Sequence, residues 1–154
     1  MRRFLRTRPL TILLSLLCAA TLSTVFVIAA HAEPGLQSDL TAISGQGTGH
    51  VLVSPTAKDR PTFAVEVEVN VRDMLPNSTF TVERRVDLTP DGVCTGTTWL
   101  TNGPITTSAG SAGAQHFEVE RGAPFVSGVR FDVQFHVIGN GTELRSDCMT
   151  VTVK

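Results

Sequence analysis

The chain has 154 residues, with 13 lysines and arginines against 14 aspartates and glutamates, a net charge of −1, one tryptophan and no tyrosine. That length suits a single domain with a real core rather than several domains. The acidic balance past the N-terminal arginines, with no basic cluster there beyond the pair Arg84-Arg85, argues against nucleic acid as a partner.

The N-terminus reads as an export signal. Arg2, Arg3, Arg6 and Arg8 form a basic start without an acid, Leu10 to Ala30 is uncharged and mostly apolar, and Ala30-His31-Ala32 puts small residues at the −3 and −1 positions of a cleavage site. The pattern predicts a signal peptide over residues 1–32, cut after Ala32. A competing reading stays open. The apolar run is longer than the roughly 7–15 residues of a usual signal core and long enough to cross a bilayer as an uncleaved anchor, its basic end inside. Arg2-Arg3-Phe4-Leu5-Arg6 loosely matches a twin-arginine export signal. Leu17, which precedes Cys18, is not the small residue that a lipoprotein signal places before its cysteine.

Past residue 32 the chain carries 9 basic and 14 acidic residues, a net charge near −5, and two cysteines, Cys94 and Cys148. Two cysteines in an exported domain predict one disulfide, worth about 4 kcal/mol for a loop of this size in the chain-entropy model. Neither lies in a C-x-x-C motif or beside a histidine, as metal or redox chemistry would favour.

In chain order, residues 33–45 are polar, with Pro34, Gly35 and Gly45, and read as a flexible leader. From residue 46 onward every strong signal has period two and none has a helical period. His50–Ser54 reads as a short strand ended by Pro55. In the stretch 62–72, Phe63, Val65, Val67, Val69 and Val71 fall on one side and Glu66, Glu68, Asn70 and Arg72 on the other. The strand at 79–88 alternates Phe80, Val82, Val86 and Leu88, and Arg84 interrupts the apolar side, which suggests a bulge or a strand rim rather than a buried charge. The turn "TPDG" follows at 89–92. Weaker strands at 97–100 and 105–107 flank a turn at "TNGP", and strands at 114–121, 127–139 and 142–154 complete the chain. The expected fold class is all-β: an antiparallel, immunoglobulin-like β-sandwich of about seven strands with one disulfide, over residues 46–154.

Two hairpins follow from arithmetic. Asn140-Gly141 is the preferred pair for a two-residue turn, so Gly139 faces Thr142, Val137 faces Leu144 and, continuing, Val133 faces Cys148. A second hairpin, turning at "GAPFV" (122–126), would pair Phe117 with Phe131, Val119 with Val129 and His116 with Asp132. In the first register Met149, Val151 and Val153 lie on the face opposite Cys148, next to Ile138. If that face is exposed, the four form an apolar stripe that could receive a partner; a sheet margin or a bulge would instead turn them inward.

"MLPNSTFTVERR" (74–85) resembles the strand entry of fibronectin type III-like modules, and "GPITTSAGSAGAQHFEV" (103–119) resembles hairpins of secreted bacterial immunoglobulin-like and transthyretin-like domains. The whole chain resembles small secreted actinobacterial proteins with a signal, one immunoglobulin/fibronectin type III-like sandwich and one disulfide. The resemblance implies a sandwich and an extracellular setting, and transfers no functional residue.

Signals for chemistry are sparse. No Gly-x-Ser-x-Gly elbow occurs, "AGSAG" at 109–113 coming nearest. His50, His116 and His136 are the available bases; they lack metal-ligand spacing and read as surface residues, His116 and His136 on the polar faces of neighbouring strands. Trp99 is expected over the disulfide. Asn77-Ser78-Thr79 and Asn140-Gly141-Thr142 match the N-glycosylation pattern but read as turns. The expectation is a secreted or cell-envelope binding or structural module, not an enzyme, without cofactor, catalytic residue or metal site. Its partner would be an unknown protein or envelope component, and it would touch a membrane only through an uncleaved N-terminal segment. The alternatives are a small extracellular hydrolase or metal-dependent enzyme, and a membrane-tethered extracytoplasmic domain.

Overall fold

A computed structural model describes residues 36–56 and 63–154; the export signal and cleavage site expected at Ala30 and Ala32 lie outside the described residues. Among the described residues there are nine strands: β1 (Leu36–Ser44), β2 (Thr48–Thr56), β3 (Phe63–Arg72), β4 (Thr79–Asp87), β5 (Leu100–Thr106), β6 (Gly113–Arg121), β7 (Arg130–Gly139), β8 (Thr142–Arg145) and β9 (Met149–Thr152). All pairings are antiparallel. Among the described residues there is no helix.

The strands follow one continuous path, β5-β4-β7-β8-β1-β2-β3-β6, with β9 on β7. What joins the two sheets is β1. Leu36–Leu40 pair with β2, and Thr41, Ala42 and Ser44 then pair with β8 across a bulge. Residues 36–44 of the expected loose leader are therefore a strand that changes sheets. Its apolar period is weak because only Ser38 and Leu40 face inward, and the Ser38 hydroxyl accepts a hydrogen bond from the Asp147 N–H at 2.9 Å. The outcome is a nearly closed barrel of nine strands rather than a seven-stranded immunoglobulin sandwich.

Several segments behave as their residues dictate. Phe63, Val65, Val67, Val69 and Val71 on β3 are all buried, while Glu66, Glu68 and Arg72 face solvent. Asn140 and Gly141 both take positive φ (50° and 75°), and Gly139↔Thr142 and Val137↔Leu144 pair as the turn requires. Others differ. Strand β2 runs on through Pro55, which pairs with Val65 of β3. Strand β5 is continuous through Asn102-Gly103-Pro104 where a turn was expected, with a register shift against β4 between Val82 and Glu83. The hairpin expected at 122–126 does not form. Strand β6 pairs with β3, placing Val67 opposite Phe117 and Val65 opposite Val119, and residues 122–129 carry the chain across to the second sheet.

The expected exposed stripe is also corrected. After Val137↔Leu144 the register slips by one residue, so that Val133 faces Met149 rather than Cys148. Ser146 sits at the slip: its N–H donates to the Phe135 carbonyl at 3.0 Å and its hydroxyl accepts from the Phe135 N–H at 2.9 Å. Side chains alternate along a strand, so one extra residue exchanges the faces. Met149, Val151 and Val153 point into the core and are buried, leaving Ile138 exposed without them.

Candidate functional site

At one end the two sheets part around a cavity of about 120 Å³. Its walls come from Val53 and Val67 on the first sheet and from Val86, Val133 and Phe135 on the second. A cluster of rings contributes a further side: Phe125 and Phe131 meet edge to face at 5.0 Å between centroids, and Phe63 meets Phe131 at 5.6 Å. The cavity lies where the barrel fails to close. Strands β5 and β6 end the path and are not hydrogen-bonded to each other. Higher in this seam the gap is filled by Phe117, whose ring would lie 2.8 Å from any Cβ placed at Gly103, so glycine is required there. Lower down, the exposed Leu100 on β5 and Arg121 on β6 border the hollow.

Arg84 lines this cavity and is itself buried, only 6% exposed. Alternation from Phe80 and Val82 points it inward. The bulge in the β4–β5 pairing is present at Val82/Glu83, but it does not carry Arg84 to the rim as expected. One guanidinium nitrogen, Nη1, donates to Asn102 Oδ1. Burial, and after it the nearby charge of Arg121, pushes the Arg84 pKa down to about 10. The group remains a cation at neutral pH. Among the described residues that line the cavity there is no carboxylate.

A second constellation lies on the opposite side of β7. Residues 88–99, which connect β4 to β5, fold as a strap over the outer face of the second sheet. Fully buried Asp132 accepts hydrogen bonds from the Gly92 N–H at 2.6 Å and the Thr150 hydroxyl at 2.5 Å. Asp87 accepts from the Thr89 N–H at 3.0 Å and the Thr95 hydroxyl at 2.8 Å, and these bonds, led by that of Thr89, hold its carboxyl below the usual range. Arg85 Nη1 donates to the Gly96 carbonyl at 3.1 Å. The Cys94–Cys148 disulfide, with its Cα atoms 5.6 Å apart, clips the strap to the break between β8 and β9.

At the end of the strap Trp99 stacks on His136, centroids 3.7 Å apart and planes 8° from parallel, with the Arg85 guanidinium 5.0 Å from the indole centroid. Trp99, expected over the disulfide, thus stacks on a histidine. His136 is buried, with Nε2 2.7 Å from Glu83 Oε2 and Nδ1 3.6 Å from Glu143 Oε1. Glu143 is also paired with Arg145, whose hydrogen bond is the main cause of a lowered Glu143 pKa.

The sequence-predicted residues scatter accordingly. His136 is not a surface histidine, and it does not neighbour His116. His116 is exposed on β6 of the first sheet opposite Glu68, and His50 meets Asn70 at 3.2 Å on the same sheet. His116 and His136, expected on adjacent strands, are split between two sheets because β6 pairs with β3 and not with β7. Among the described residues no group of three histidines, cysteines or acids is placed to hold a metal ion. The cavity had a sequence signal: the phase of Arg84 within an alternating strand pointed inward, and only the expectation that charges avoid cores argued otherwise.

No protein-family model, no curated protein and no solved structure matches the chain.

Proposed function

We propose that the protein is an exported, non-catalytic binding module whose ligand site is the cavity between the sheets. The observation that carries this reading is a mostly apolar hollow at an open seam, walled by buried valine and phenylalanine side chains. Close packing is the rule in protein interiors, and an unfilled pocket forfeits dispersion contacts, so a retained one is a default binding-site hypothesis. The disulfide and the signal-like N-terminus support an extracytoplasmic setting. Against catalysis stands the environment of His136: it is held by Glu83 and covered by Trp99, and its partners among the described residues include no hydroxyl or thiol that it could activate.

Benzene, a neutral probe of suitable size, tests the site. Titration into isotopically labelled protein should shift the methyl resonances of Val53, Val67 and Val133. Val86→Phe, which fills the hollow, should abolish the shifts while the protein stays folded. Unchanged methyl resonances in the parent protein would remove the cavity as the site. Export is checked separately by N-terminal sequencing: a start at Glu33 in the medium supports secretion, and a start at Met1 in membranes supports the tethered alternative.

A further inference from the structure

We infer that the cavity takes a small organic monocarboxylate, its carboxylate on Arg84 and its apolar body, about six carbons, among the valine and phenylalanine side chains. This rests on the cavity being the binding site and adds the chemistry of the ligand.

Size comes first. An engineered protein cavity of about 150 Å³ holds benzene, so the hollow here, about 120 Å³, suits a ring or short chain of similar bulk and excludes long acyl chains. The charge comes second. A buried cation is ordinarily paired with an anion, because desolvation costs more than a neutral partner returns. Arg84 is nine-tenths buried, lines the cavity and, among the described residues, has one side-chain partner, the neutral amide of Asn102, on one of its nitrogens. A guanidinium offers a planar fork that matches a carboxylate, and such charge-assisted pairs are roughly twice as strong as neutral ones. Third is the position of Arg121. It borders the same cavity from β6, and its positive charge lowers the Arg84 pKa. Two cations facing one hollow repel each other, and an anion between them removes that repulsion. A strand that otherwise places Phe80 and Val82 inward has no packing reason to place an arginine next. Apolar residues of similar volume at such positions are often neutral or stabilising.

The test compares benzoate with benzyl alcohol, which share a ring and differ in charge, by NMR titration at low ionic strength. Benzoate should bind at least about tenfold more tightly. In Arg84→Met that preference should vanish while benzyl alcohol binds as before. Arg121→Gln should weaken benzoate several-fold and flatten its salt dependence. If Arg84→Met does not fold, Arg84→Lys provides the comparison, keeping the charge and losing the fork, with an expected loss of several-fold for benzoate alone. Equal binding of the two probes, or benzoate binding indifferent to Arg84, overturns the inference and leaves the cavity reading intact. Failure of benzene, benzoate and benzyl alcohol together overturns both.

Discussion

The two faces of β7 are both buried, and by opposite means. Inward, Phe131, Val133, Phe135 and Val137 meet the valines of β2 and β3 across the barrel. Outward, Asp132, Gln134 and His136 lie beneath the strap, and each has a specific partner: Gly92 and Thr150 for Asp132, the Ser146 carbonyl at 2.7 Å for Gln134, and Glu83 with Trp99 for His136. Apolar burial is non-directional, so the inner face can leave a hollow at the seam and still cohere. Hydrogen bonds are directional and their loss leaves unsatisfied groups, so the outer face requires its cover in one place. The disulfide supplies that constraint.

Truncating one residue on each face tests the contrast. Phe135→Ala should cost the most, about 3–5 kcal/mol in denaturant unfolding, through lost burial and an enlarged cavity. Replacing both Cys94 and Cys148 with alanine should cost about 2–4 kcal/mol. It should also raise hydrogen exchange at the Gly92 amide while the β4–β7 ladder keeps its protection. Uniform loss of protection would show that the strap is not a separate cover. Asp132→Asn should cost less, about 1–3 kcal/mol, since it keeps one acceptor and places an N–H₂ group against a donor. An effect near zero would mean that the outer face does not depend on its partners.

The smallest effect is that of pH. Asp87 and Glu143 on the outer side have carboxyl pKa values depressed in the folded state, by the Thr89 N–H and by Arg145 respectively. A depressed folded pKa gives stability that is fully present above the unfolded value, near 4, and is lost as pH falls through the folded one. The thermal midpoint should hold from about pH 7 to 5 and decline below about pH 4. Asp87→Asn should flatten the decline, and an unchanged slope would remove Asp87 as a contributor.

Much of the outer architecture was legible residue by residue. Alternation identified β3 and its buried side, Asn140-Gly141 set the β7–β8 register, and the count of two cysteines beyond residue 32 predicted the bond that forms. Less legible was β1, because a strand with only Ser38 and Leu40 inward has almost no apolar period. The candidate site was hidden differently. Arg84 had the right phase, but whether a charge on an apolar side is turned out by a bulge or kept inside depends on the facing sheet. Trp99 and His136 are remote in sequence and meet only through the strap.

The sequence by itself determined the all-β class, the apolar side of β3, the β7–β8 turn and the pairing of Cys94 with Cys148, all of which depend on local pattern or on simple counting. Tertiary structure decided that β6 joins β3, that β1 bridges the sheets, that Met149, Val151 and Val153 turn inward, and that a cationic hollow remains at the seam. A period of two says which side of a strand is apolar. It does not say which edge that strand will pair with, and a single extra residue, as at Ser146, exchanges inside for outside.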